Sequence, residues 1–333
     1  MANLETTYLG IQLKNPVIAA ASSLTSRLET VRQLENAGIG AIVINSLFEE
    51  EIQLERMAFE EERTAFDYSY AEMITIFPEI EHGGPKEHLL YVRRVKENVS
   101  IPVIASLNCV NSETWVDYAI RLAETGVDAL ELNFYATPVD LDKDGAAILS
   151  EQLVVLRAVK EAVTLPISAK LSLFYSNPLN VVSRMEAEGV AGCVLFNNFF
   201  QPEIDIETEQ LRFPLRLSHP GEYGPSLRFA GLLFGNTPVD ICCNTGIVNG
   251  EDVVKLILAG ASCVAVASTL YRHPVSYVQE ILGTITDWMD ARGYAKLNDF
   301  RGKLSHKNLN DPWAYTRAQY VKMLLKPKPI GDG

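Results

Sequence analysis

Residues 128–140 read DALELNFYATPVD. The stretch begins as an apolar strand, Ala129-Leu130-Glu131-Leu132, and then offers Asn133, Tyr135 and Thr137. An amide can orient a bound molecule, and the two hydroxyls can hand it a proton. Tyr135 also reads as a packing aromatic. A second chemical group stands in PISAKLSLF, where Lys170 interrupts an apolar run. A buried ammonium needs a partner. A structural salt bridge is one reading, and a bound anion or an electron-rich ring is the other.

Two alternating phrases carry these groups. One is Pro followed by a short apolar run, as in NPVIAAAS, IPVIASLN, LPISAKLS and TPVDICCN. The other is Gly followed by another apolar run, as in AGIGAIVIN, TGVDALELN, EGVAGCVLF and AGASCVAVA. Pro16 to Gly38 spans 22 residues, Pro102 to Gly126 24, Pro166 to Gly189 23 and Pro238 to Gly260 22. Each span holds one strand and one helix, with Gly ending the helix. The apolar runs are continuous, as in strands buried on both faces of a parallel sheet. SETWVDYAIRLAET and NGEDVVKLILAG have helical apolar spacing. Four such double units predict an α/β fold, a closed (β/α)8 TIM barrel; an open doubly wound sheet is the alternative. The opening TTYLGIQLKN reads as a hairpin at the barrel floor.

Sites in this fold lie at the C-terminal strand ends. Those ends are polar throughout: Ser22 and Ser23, Asn45 and Ser46, Ser106 and Asn108, Asn133, Lys170, Asn197 and Asn198, Asn244 to Gly246, and Ser268 with Thr269. Any single Asn or Ser could merely turn the chain. The last two ends, CNTGIVNG and VASTLYRH, are small-residue turns into helices, whose N–H groups can converge on a phosphate.

The chain has 333 residues, 47% of them hydrophobic, enough for one large core or two ordinary ones. Its net charge of −13 argues against nucleic acid or an anionic membrane surface as a partner. Five cysteines form no CxxC pair, and most sit in apolar runs, which fits a reducing cytoplasm. The histidines lack metal-ligand spacing, so no metal is expected. The first residues lack the blocks of a signal peptide, and no run of about 18 apolar residues occurs.

YLGIQLKNPVIAAAS, GVDALELN, AKL, NTGIVNGEDVVKLILAGASCVAVAST and FRGKL together resemble the dihydroorotate dehydrogenase family, in its class-1-like FMN-binding branch. The resemblance covers nearly the whole chain and implies FMN at the barrel mouth, a small-molecule substrate and a homodimer. It places Ala20, Ala21 and Ser22 beside the isoalloxazine. Asn133 and Lys170 would bond the ring or substrate, with Lys170 at the ring edge where a cation stabilises the anionic reduced flavin. Asn45, Ser46, Asn108 and Asn197 would be further pocket groups, and Gly224, Thr245, Gly246, Ala267 and Ser268 would hold the phosphate.

The sequence departs from the family on the substrate side. After strand 4 the family runs Asn-x-Ser-Cys-Pro-Asn or similar, with Cys or Ser as the base; here Ala136 falls at that position. Asn45 stands where the family has Lys. The family's substrate loop, Asn-x-x-Gly-x-x-Asn, has no match in FDYSYAEMITIFPE. The expected function is therefore an FMN-dependent oxidoreductase acting on CH–CH bonds of a small metabolite other than dihydroorotate. Tyr135, Thr137 and Lys170 are its catalytic candidates. Two alternatives stand: a flavin-bearing electron-transfer subunit docking a redox protein, and an authentic dihydroorotate dehydrogenase with a substituted base. One domain, 1–333, is expected, with insertions at about 46–85 and 199–225 and a C-terminal helical extension at about 305–327. The Glu-rich start of the first insertion reads as a solvated helix face, or as a lid or docking surface. The second insertion reads as a hairpin over the pocket.

Overall fold

The computed structural model describes residues 2–53, 85–109, 111–134, 139–198, 201–212 and 214–316. Eight parallel strands close into a barrel: β3 (Val17–Ala19), β4 (Ala41–Phe48), β5 (Val103–Asn108), β6 (Ala129–Asn133), β7 (Ile167–Leu171), β8 (Gly192–Leu195), β11 (Asp240–Asn244) and β12 (Cys263–Val266). They follow one another in chain order around the ring, and β12 pairs with β3 to complete it. The outer helices are α1 (Leu28–Asn36), α2 (Pro85–Asn98), α3 (Ser112–Ala123), α4 (Gly145–Ala162), α5 (Pro178–Ala187), α6 (Gly224–Leu233), α7 (Gly250–Ala259) and α9 (Tyr277–Asp290). A short extra helix, α8 (Ser268–Arg272), follows β12 at the mouth. The four glycines that mark the sequence repeat, Gly38, Gly126, Gly189 and Gly260, all have positive φ and end α1, α3, α5 and α7.

Period-two alternation sorts each strand between two cores. Leu130 and Leu132 of β6 pack outward with the helices, as do Ile167, Ala169 and Leu171 of β7. Ala129 faces the barrel axis with Ile18, Ala41, Val43, Ile104 and Val194. By the same alternation Glu131 and Asn133 of β6, and Ser168 and Lys170 of β7, project inward.

The floor of this interior is plugged. β1 (Thr6–Tyr8) and β2 (Ile11–Leu13) form the antiparallel hairpin foreseen in the sequence. Its two turn residues, Leu9 and Gly10, both have positive φ, as a tight two-residue hairpin turn requires. Tyr8, Leu9 and Leu13 pack into the inner cluster. Asp240 anchors the plug: its carboxylate accepts the Leu9 N–H at 2.9 Å and the Ser262 hydroxyl at 2.7 Å. Arg301, from the FRGKL motif, lies 3.8 Å from Asp240 and also donates to Ser262. That motif therefore braces the floor, away from the mouth.

The insertion between β8 and β11 contains the expected hairpin, β9 (Glu203–Asp205) with β10 (Gln210–Arg212). Most of the first insertion, 54–84, lies outside the described residues; β4 runs to Phe48 and residues 49–53 are helical. Its first glutamate is no solvated face. Glu49 is buried and accepts from both the backbone and the side-chain N–H groups of Asn111, tying the end of β4 to the start of α3. The C-terminal extension also differs from expectation. Residues 305–311 are turns, and Pro312–Tyr315 form a single 3-10 turn capped by Asp311, as the Asn-Asp-Pro sequence favours. The rest of that extension lies outside the described residues.

Candidate active site

The strand ends open into a cavity of about 440 Å³, within the range of ~300–1,000 Å³ usual for small-molecule sites. Ala20, Ala21 and Ser22 line it after β3, Asn45 and Ser46 from β4, and Asn133 and Lys170 from β6 and β7. Asn197 follows β8, Thr245 and Gly246 follow β11, and Ala267 and Ser268 follow β12. Asn108 and Gly224 do not line it. Asn108 is buried at the end of β5. Gly224 opens α6 and lines a neighbouring groove with Leu227 and Tyr315. Tyr135, Ala136 and Thr137 lie outside the described residues.

Local irregularity aims β4. Ile44 pairs with Ala105 and Leu47 with Leu107, so β4 carries one residue more than β5 across this step. The bulge turns both Asn45 and Ser46 to the cavity. The Ser46 and Ser106 hydroxyls lie 2.7 Å apart, and Ser106 reaches a Glu131 carboxylate oxygen at 3.5 Å. Glu131 in turn lies 3.8 Å from Lys170 Nζ. Both ends of this buried chain line the cavity, while Ser106 and Glu131 sit beneath it. Burial pushes the Glu131 carboxyl above the usual carboxylate range, opposed by the Lys170 ammonium and the Ser106 hydrogen bond. Lys170 thus has the structural salt bridge and a place on the cavity wall at once.

Beside Lys170, Asn197 Nδ2 donates to Asn133 Oδ1 at 2.7 Å, joining amides from the ends of β8 and β6, the two strands that flank β7. At the opposite end Thr245 and Gly246 are consecutive left-handed residues. Gly is required at 246 because a Cβ there would lie 2.6 Å from the Glu222 backbone nitrogen. The Gly246 N–H donates to Ser218 Oγ at 3.0 Å, and Ser218 Oγ bonds Ser268 Oγ at 2.9 Å. Arg272 of α8 holds the Ser218 carbonyl at 2.5 Å. Ser218, with Leu215 to Leu217, lines the cavity from the second insertion. Nothing periodic in the sequence marks Ser218; the turn signal HPG directly after it is the only trace. Tyr271 was likewise unmarked, and its hydroxyl holds Ser23 Oγ at 2.6 Å.

These residues fit FMN. Small side chains, Ala20, Ala21, Ala265 and Ala267, line the cavity and leave room for a ring. A cation and paired amides edge that room. Hydroxyls, a glycine turn and a helix start gather at the other end, where an anion is favoured. Asn108 Nδ2 is buried with no hydrogen-bond partner among the described residues, a spare donor at the end of β5. Those residues hold no group of three or more metal-ligating side chains, and no helix among them is long and apolar enough to cross a membrane.

A closed β/α barrel with an amide-and-lysine-edged cavity, and a phosphate-type cradle after its last two strands, defines a class of cofactor-binding oxidoreductase barrels. Within that class the chain belongs to the dihydroorotate dehydrogenase family, whose family model matches residues 3–289. It is 28% identical over 315 residues to the dihydroorotate dehydrogenase B (NAD(+)) catalytic subunit of Thermoplasma acidophilum, covering 91% of this chain and 99% of that one. It is 27% identical over 308 residues to a putative dihydroorotate dehydrogenase A (fumarate) of Aeropyrum pernix, covering 90% and 96%. The catalytic subunit named for Methanocaldococcus jannaschii is 24% identical over 301 residues, covering 86% and 93%. The chain is accordingly an FMN-dependent oxidoreductase acting on CH–CH bonds.

Proposed function

We propose that this protein passes a hydride between FMN and a small unsaturated metabolite, and that dihydroorotate is turned over poorly. The observation that carries this is Ala136 at the position of the family's base. Its methyl accepts no proton, and loss of a general base costs on the order of 10²- to 10⁴-fold. The residues that the resemblance assigns to the cofactor side, by contrast, are present, and Lys170, Asn133, Asn197, Gly246 and Ser268 all line one cavity.

FMN, when bound, supplies the site that takes up or returns the hydride. The chain does the rest. Ala20, Ala21 and Ser22 floor the ring. Lys170 stabilises negative charge that develops at the ring edge. Asn45, Ser46, Asn133 and Asn197 orient ring and substrate by hydrogen bonds, with Asn108 behind them. Thr245, Gly246, Ala267 and Ser268 hold the phosphate, with Ser218 added from the insertion. Tyr135 or Thr137, which follow β6 in the sequence, gives up or takes the proton that accompanies the hydride. The chain works as one FMN-binding unit in the cytoplasm, as a homodimer. The relatives named as catalytic subunits support pairing with a redox partner.

A second reading is favoured by the relatives' names, all of which specify dihydroorotate dehydrogenase. In it, Tyr135 or Thr137 replaces the base and dihydroorotate is the true substrate. Substituting Ala136→Cys separates the two. Under the first reading, anaerobic flavin reduction by dihydroorotate speeds up by about 10²-fold or more. A native rate already as fast as that of the variant would overturn it.

A further inference from the structure

We propose that Glu131 is a positioning residue that sets the reduction potential of the bound flavin through Lys170. The inference rests on the FMN reading of the cavity. Glu131 does not line the cavity; it lies one step below Asn133 on the inner face of β6, and it is 3% exposed. Lys170, its neighbour on β7, is 6% exposed and does line the cavity.

The geometry is loose by the standard of a committed ion pair. A charge-assisted N–H···O contact spans ~2.7–2.9 Å. Here Nζ and Oε1 are 3.8 Å apart. Glu131 is therefore near enough to offset the ammonium's charge, yet the ammonium's donors are free to turn toward the cavity. Ser106, the register partner of Glu131 on the adjacent β5 and itself bonded to Ser46, reaches the same Oε1 at 3.5 Å, so Glu131 is flanked by a hydroxyl from one neighbouring strand and the ammonium from the other.

The local charge makes this pairing consequential. The charged residues that line the cavity, among those described, are Lys170 and Arg216, and Arg216 is engaged by Glu203. Asn45 is neutral. A ring in the cavity thus meets a Lys–Glu pair and not a full positive charge. Removing the negative member leaves the ammonium uncompensated in a low-dielectric interior, which favours a reduced, anionic ring.

The test is a spectroelectrochemical titration of FMN-loaded native protein, Glu131→Gln, Lys170→Gln and the double variant. Glu131→Gln is expected to favour the reduced flavin at least tenfold, an upward shift of about 30 mV for a two-electron couple. Lys170→Gln is expected to shift it downward. Adding Glu131→Gln to the Lys170→Gln background is expected to change the equilibrium less than twofold, because a lone buried carboxyl is already neutral there. A Glu131→Gln protein holding FMN at the native potential overturns the proposal. So does an equal shift in both backgrounds, which would mean that Glu131 acts without Lys170. If Glu131→Gln holds FMN too weakly to titrate, Ser106→Ala is used, with a smaller upward shift expected and an unchanged or lowered potential contradicting it. A native protein that takes up no FMN would overturn the cofactor reading itself, a distinct outcome.

Discussion

Lys170 Nζ lies 3.8 Å from Glu131 Oε1 across β6 and β7, with the ammonium on the cavity wall and the carboxylate sealed beneath it. Burying two charges is costly, and breaking such a pair by removing one partner costs more than removing both, on the order of 3–5 kcal/mol. Lys170→Met is therefore expected to lower the stability of the flavin-free protein by ~3 kcal/mol in urea unfolding. The double variant Lys170→Met with Glu131→Gln should recover most of that loss. A double variant no more stable than Lys170→Met would show that the two groups are energetically independent.

Gly246 pairs a left-handed backbone with a close approach to the 221–223 turn. Gly246→Ala must either strain this turn or push it from the cradle, at a cost of order 1–3 kcal/mol. FMN affinity, followed by quenching of flavin fluorescence, is expected to fall about tenfold or more. Unaltered affinity would remove the 245–246 turn from the phosphate site.

At the other end of the barrel, a Cβ on Gly192 would lie 2.5 Å from Leu9 Cδ2 and 3.1 Å from Tyr8 Cε2. Gly192→Val should displace the plug and cost about 1–3 kcal/mol, as overpacked cores do. The mouth is remote from this change, so residual folded protein is expected to bind FMN with native affinity. Unchanged thermal stability would mean that the hairpin is not packed as described.

His88 on α2 carries a pH dependence. Burial lowers its imidazole from 6.5 to about 4, and its Nε2 has no hydrogen-bond partner among the described residues. The folded protein thus favours the neutral ring. That stability is complete above the unfolded value near 6.5 and is lost as pH falls toward 4. The loss amounts to at most about 3 kcal/mol. His88→Leu should flatten the fall in urea midpoint between those two pH values, whereas an unchanged acid slope would assign it to other groups.

Much of the barrel was legible because its signals are local. The Pro and Gly phrases mark strand starts and helix ends, and the four glycines they use are left-handed in the fold. Lys170 was legible because an ammonium in an apolar run demands a partner. Its partner was not read: Glu131 shares a strand face with Asn133, but reading LELN as uniformly apolar concealed it. Ser218 was hidden for a different reason: it reaches Gly246 and Ser268 from an insertion, and long-range closure leaves no local period. Gly224 was misplaced because the turn before α6 abuts Gly246 from behind, so Gly224 faces the adjoining groove and not the cavity.

The central claim is that the flavin site is kept while dihydroorotate chemistry is weakened at Ala136. An anaerobic visible spectrum of the FMN-loaded protein, before and after dihydroorotate, tests it most directly. The flavin band should persist for minutes with dihydroorotate and bleach at once with a strong chemical reductant. Bleaching by dihydroorotate within the mixing time would contradict the account and turn attention to Tyr135 and Thr137 as working replacements for the base.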